Sequence, residues 1–242
     1  MKKIINLVKL QLQLYFKGSL FIMPLIVTAV FLYTMYSVQP LSVTSSYLLS
    51  GTFLFLLMTW IGLTTASGEN EVTEQVLVLR VQNRGSYYAG KVIFLMCIAF
   101  LTDLLCTIFP VVQNMLNSYR LFDRQLLVSD VINAFLLQYG CAFAGAGLGS
   151  FLHPRVMKDR KLAIILTVLL AALTIAGPSL GTYLPAAKAF LWVLPPVMLP
   201  AQIYGNSEYF IWGQTFLIFF LLIFYGTVFS ILKSLLCHRN KF

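Results

Sequence analysis

The sequence predicts an all-α integral membrane protein of six transmembrane helices, and three observations predict it. Of 242 residues, 59% are hydrophobic and only 10% charged, whereas a soluble domain carries about 25% charged residues. Apolar runs of around 20 residues, enough to cross about 30 Å of hydrocarbon, recur at 18–38, 47–66, 92–113, 131–152, 162–181 and 210–232. The runs are continuous rather than alternating with period two, which fits helices and not a barrel. The whole chain, 1–242, reads as one transmembrane domain.

Residues 1–17 form an interfacial helix by pattern. Lys2, Asn6, Lys9, Gln13 and Lys17 recur at steps of three and four on one face, with Ile4, Val8, Leu12 and Tyr15 toward the other. Such a helix lies in the headgroup plane with its lysines on lipid phosphates. The opening MKKIINLVKL lacks the immediate apolar core of a signal peptide, and TMYSVQP lacks a small-x-small cleavage site, so the segment is expected to be retained.

After the second span comes a long segment, 67–91. Ser67 is placed to cap a helix whose first turns hold Glu69, Glu71 and Glu74, where the helix dipole favours negative charge. Val72, Val76 and Leu79 come next on one face, and Arg80 closes the run. A solvated connector has no reason to show V-L-V-L, and an exposed apolar stripe generally meets a partner. The segment ends in RGSYYAGKV, where Gly85, Gly90 and Lys91 have the spacing of a phosphate-binding loop. The match is incomplete: Val92 stands where the Mg²⁺-ligating hydroxyl belongs, Tyr87 and Tyr88 crowd the loop, and a membrane helix comes after it rather than a soluble α/β unit. Lys91 reads instead as the last interfacial charge before the third span.

The third span carries Asp103, with Thr107, Pro110 and Asn114 continuing a polar stripe at helical spacing. A mid-bilayer carboxyl costs about 2.5–3.5 kcal/mol and faces a bundle interior or a wet cavity. Three readings stay open: an interhelical hydrogen bond, the lining of a transport path, or proton coupling. The fourth span contains GCAFAGAGLGS, whose small residues four apart allow close helix approach. A dinucleotide fingerprint would need a preceding strand, which is not predicted. Between spans five and six, residues 182–209 hold Pro185, Pro195, Pro196 and Pro200 and read as a re-entrant or interfacial hairpin, with Tyr183 and Trp192 at headgroup level.

Charge predicts the orientation. Fourteen of seventeen Lys and Arg fall on one side, leaving Arg120, Arg124 and Lys188 on the other. The positive-inside rule puts both termini in the cytoplasm. The net charge of +9 stems from this topology and anionic lipid, with no nucleic-acid partner required. Enzyme chemistry finds no foothold: the two histidines, His153 and His238, lie apart in flanking segments, the four cysteines form no C-x-x-C pair, and no metal or catalytic set is expected.

The order of parts is similar to the permease subunit of ABC-2 type exporters. The likeness rests on the basic amphipathic start, the acidic-then-basic segment ending in Tyr87-Tyr88-x-Gly90-Lys91, the Gly-rich fourth span, the basic HPRVMKDRK loop and the Pro-rich hairpin. The resemblance implies a bacterial plasma-membrane half-transporter, assembled from two permease copies, as a homodimer, and two copies of a separate ABC ATPase that carry the ATP and Mg²⁺. It makes residues 69–84 a coupling helix docked on the ATPase, with Glu69, Glu71, Glu74, Arg80 and Arg84 as rim charges. Val76, Leu77 and Leu79 would be its buried contact. The implied cargo is amphipathic peptide or another hydrophobic molecule, as in bacteriocin and phenol-soluble modulin exporters, with Asp103, Thr107 and Asn114 along the path. Two other classes remain: a proton- or ion-coupled secondary transporter using Asp103, and a non-transporting peptide-immunity protein.

Overall fold

The structure is a computed structural model that describes residues 2–67, 71–81, 83–152, 156–157, 159–183, 191–205 and 207–239. Side chains are described for these except at 2, 3, 67, 71–73, 80, 84, 238 and 239. The named elements of the described residues are all helices: α1 (Lys2–Lys17), a 3₁₀ turn (Ser19–Phe21), α2 (Ile22–Met35), α3 (Val43–Ser67), α4 (Glu71–Val81), α5 (Arg84–Leu116), α6 (Val128–Phe151), α7 (Arg160–Tyr183), a short α8 (Leu199–Tyr204) and α9 (Trp212–Arg239).

Helix α6 is the centre of the bundle. Its span is 72% buried, against 28% for α7 and 33% for α9. The reason is its small-residue sequence. A side chain at Gly145 would overlap the Phe55 carbonyl of α3, and one at Gly149 the Thr59 carbonyl one turn on. On the opposite flank, a Cβ on Gly147 would stand 2.8 Å from the Gly226 carbonyl oxygen of α9. Helices in lipid gain little from burying apolar surface against one another, so close backbone approach is how they associate. The expectation of a packing helix rather than a dinucleotide loop is met.

Helices α3, α5, α6, α7 and α9 are each long and apolar enough to cross a membrane. The sixth expected span, 18–38, differs. Gly18 adopts an extended conformation (φ −78°, ψ 155°), and its amide closes α1 on the Leu14 carbonyl at 2.9 Å. The chain continues through the 3₁₀ turn into the 14-residue α2, about 21 Å long at 1.5 Å per residue. The two arms bend by 73° and pass as a span only when taken together, so among the described residues the count is five or, with this broken pair, six.

Helix α1 presents Leu7, Val8, Gln11 and Tyr15 inward, with Lys9 and Lys17 exposed. It packs chiefly on α5, where Leu7 lies over Gly90 and the Tyr15 and Phe94 rings meet edge to face at 5.8 Å. Exposed Ile5, Leu14 and Phe16 cover its outer side. The fold thus gives the N-terminal helix an apolar face for the bundle and a second apolar edge facing outward.

The third span begins earlier than its hydropathy indicates. The Asn83 side chain caps α5 by accepting from the Gly85 amide at 2.9 Å, and RGSYYAGKV forms the first turns of a 33-residue helix. The Gly85 amide is taken by that cap, and from Tyr87, which bonds the Asn83 carbonyl at 3.1 Å, the amides of the stretch close helical bonds rather than forming a phosphate cradle. Of the expected hairpin 182–209, residues 184–190 and 206 lie outside the described residues. Its described part contains α8 and buries Leu194, Val197, Pro200 and Tyr204, while Tyr183 and Trp192 are largely exposed.

Candidate functional site

Two polar constellations interrupt the apolar bundle. The first lies inside the span of α5. Asp103 has no exposed surface, and Thr107, one turn on, is also buried. The Thr107 hydroxyl lies 3.4 Å from Asp103 Oδ1 and 3.1 Å from Gln138 Oε1 of α6. Gln138 Nε2 in turn donates to the Tyr47 carbonyl of α3 at 3.0 Å. Cys106, Cys141 and Tyr139 lie within the electrostatic reach of Asp103. Asp103 Oδ2 makes no hydrogen bond among the described residues. Three helices are therefore tied by a polar chain that ends in a carboxyl with one oxygen to spare.

Asn114 belongs to a different structure. Its side-chain oxygen accepts from the Leu121 amide at 3.2 Å, and its carbonyl accepts from Tyr119 at 2.8 Å. Ser118 and Tyr119 take left-handed conformations (φ 53° and 62°), which turn the chain back at the end of α5. Such residues persist where surrounding bonds over-determine them. Asn114 is a helix-end anchor, separate from the Asp103–Thr107 pair that the sequence stripe joined to it. Gln138, which completes the cluster, is not among the expected site residues. Its signal is available, since an amide inside an apolar span needs a partner.

The second constellation sits where α4 meets the ends of α1, α5 and α9. Leu7, Val81, Tyr87, Tyr88 and Cys237 form a separate buried cluster, with Leu77, Val78 and Val156 against it. Glu74 (2% exposed), Lys91 (6%) and Lys233 (5%) are buried there too. All three charges act on Cys237. The Tyr88 hydroxyl reaches Glu74 Oε1 at 3.5 Å, and Lys91 Nζ sits 4.8 Å from the centre of the Tyr87 ring. Buried charges persist when they are compensated by opposite charge or aromatic faces.

Several expected roles shift accordingly. Glu74, expected as a rim charge, faces inward, because the α4 face carrying it packs on Tyr88. Leu77 is committed to the internal cluster, whereas Val76 (56% exposed) and Leu79 (76%) point away from the bundle. Lys91, expected as an interfacial lysine, is carried inward above Tyr87, because α5 starts at Arg84. Glu69 lies outside the described residues, as do the side chains of Lys2, Glu71, Arg80 and Arg84. Lys233, unforeseen as a site residue, is read from sequence only as one more basic charge.

The opposite end is closed by a clasp. Arg124 donates to Asp130 Oδ2 at 2.6 Å and twice to the Glu208 carbonyl, at 3.0 and 2.6 Å. Its guanidinium lies 4.2 Å from the centre of the Tyr209 ring. Asp130 also accepts from the Leu127 amide at 3.2 Å, so one carboxylate both caps α6 and holds the loop before it. The hydrogen bond to Asp130 raises the Arg124 guanidinium above its ordinary range, against the opposing effect of burial. Leu41 adds a third loop by exchanging backbone bonds with Leu121 and Asp123 at 2.9 Å each.

In comparisons with known proteins, no family model, no curated protein and no solved structure matches this chain.

Proposed function

We propose that the chain is the membrane permease subunit of an ATP-driven exporter, with α4 as its coupling helix and a separate ATPase as its engine. The observation that carries this reading is the two-sidedness of α4. One face, with Glu74, Leu77, Val78 and Val81, is anchored against α5, α1 and α9. The other presents Val76 and Leu79 without a cover among the described residues. A force applied to the free face would pass through Glu74 and Tyr88 into the first turns of α5, and through the Cys237 cluster into α9. The basic segments favour a cytoplasmic location for that end.

On this reading the clasp around Arg124 is the external closure, and the Pro-rich segment before α9 is a re-entrant cap beside it. Cargo is an amphipathic peptide or another hydrophobic molecule, in keeping with apolar helix flanks. The plasma membrane, cytoplasmic termini and a paired second permease copy belong to the same proposal.

A second reading draws on one specific observation, the spare oxygen of Asp103. There the chain is a gradient-driven transporter, with Asp103 as its proton or cation site. Transport into inside-out vesicles separates the two. Uptake of an amphipathic peptide that needs ATP and a captured ATPase, survives collapse of the proton gradient and persists in Asp103→Asn supports the exporter. Uptake driven by a gradient without ATP, and abolished by Asp103→Asn, supports the second reading.

A further inference from the structure

Along the flank of the bundle, α3 and α7 diverge around an apolar cleft of about 660 Å³. Its walls include Trp60, Leu63 and Ile164, with Ala172 and Ala176 toward one end and Arg160 at the other. Three threonines line it, yet none offers a hydroxyl proton to a guest. Thr59 donates to the Phe55 carbonyl at 2.7 Å, Thr64 to Trp60 at 3.0 Å, and Thr167 to Ala163 at 2.8 Å. Each hydroxyl is spent on its own helix, so the wall is apolar in effect and favours hydrocarbon over a polar solute.

The exception is Arg160. Its neighbour Asp159 caps α7, accepting from the Lys161 and Leu162 amides at 2.9 and 3.4 Å. That carboxylate is thus held on the helix end. Arg160 forms no ion pair with any described residue and stands beside exposed Lys161. The distance from Arg160 to Ala176 along α7 is about 24 Å at 1.5 Å per residue, ample for one leaflet of a hydrocarbon core about 30 Å thick. A long apolar trough closed by a guanidinium has the shape and charge of an acyl chain with a phosphate.

We propose that this cleft binds an anionic phospholipid, with an acyl chain along the α3–α7 trough and its phosphate at Arg160. A second copy of the chain is a poorer occupant. About a twofold axis along the membrane normal, the same patch meets itself, which sets Arg160 at the same depth as its mate. Lipid binding in this cleft requires membrane embedding and is independent of the exporter reading.

Trp60 reports on the cleft directly. The chain has three tryptophans, so Trp192→Phe with Trp212→Phe leaves Trp60 as the sole emitter. This protein is reconstituted with phosphatidylcholine or phosphatidylglycerol carrying dibrominated acyl chains that quench indole fluorescence. The expected result is half-maximal quenching at about fivefold lower mole fraction of phosphatidylglycerol, the advantage one arginine gives near a headgroup. Arg160→Gln should erase that preference, and Ala172→Phe, which fills the trough, should weaken quenching by both lipids while helicity is retained. Equal quenching by the two lipids in the parent protein would overturn the proposal, as would a preference that survives Arg160→Gln. So would absence of quenching together with crosslinking of two copies through Ala172→Cys, or protection of Trp60 by an amphipathic peptide in place of lipid.

Discussion

Gly149→Ala tests the packing of the bundle at its tightest point. The added methyl would overlap the Thr59 carbonyl oxygen and stand 2.7 and 2.8 Å from the Thr59 carbonyl carbon and Cα. Ordinary van der Waals contact begins at 3.4 Å, and no backbone atom swings aside as a side-chain end would. The helices must part by about 1 Å, which forfeits up to half of the dispersion well for contacts along the seam. Overpacking of this kind costs about 3 kcal/mol at the upper end, offset by about 1 kcal/mol of helix propensity gained from Gly→Ala. The net loss of about 2 kcal/mol lowers the melting temperature by about 4–8 °C for a chain of this size. Gly213→Ala in α9 is the control, because nothing lies within 4 Å of its added methyl. Thermal unfolding followed by circular dichroism in detergent compares the two. If Gly149→Ala melts with Gly213→Ala, α3 and α6 are not in backbone contact and the centre of the fold is wrongly placed.

The same contacts set other outcomes. Arg124→Ala leaves Asp130 buried without its cation and should cost about 3 kcal/mol, the low end for a broken buried pair because Arg124 retains 15% exposure. Adding Asp130→Asn should recover much of that loss in the same melting assay. Gln138→Leu removes the link between Thr107 and the Tyr47 carbonyl, and should cost about 0.6–1.7 kcal/mol, the range of hydrogen bonds between membrane helices. Gly90→Leu should displace α1 by collision with Leu7, read as faster proteolysis near Lys9 and Lys17, and Leu7→Ala should restore protection.

The parts legible in the sequence are those where one physical term dominates. Apolar runs mark five spans, three of them (α3, α6 and α7) within four residues at each end, because length and hydropathy suffice, and the GCAFAGAGLGS stripe marks the central helix because only small residues permit that approach. The boundary of α5 is not legible in the same way. Tyr87, Tyr88 and Lys91 have interfacial chemistry by composition, and only the meeting of α1, α4 and α9 turns them inward. Glu74 likewise fits the acidic-first-turn pattern of an exposed helix, yet its partners come from segments fourteen or more positions away. The Asp103–Thr107 pairing is visible at helical spacing. Its acceptor Gln138, on another span, becomes apparent only when the helices are docked, and Asn114 leaves the stripe because the turn after α5 claims it.

The free face of α4 is where the proposed coupling role stands or falls. Val76→Glu with Leu79→Glu alters two exposed side chains and none of the internal cluster, so the bundle should keep its melting temperature. The decisive measurement is Mg-ATP hydrolysis by the affinity-purified chain together with whatever it captures from its own membranes, with each captured protein identified. A coupling helix at α4 predicts a captured ATPase bearing a complete phosphate-binding loop, hydrolysis in the parent preparation, and loss of both in the double variant. Equal capture and hydrolysis by parent and variant would contradict that role, as would a folded parent chain that brings down no ATPase.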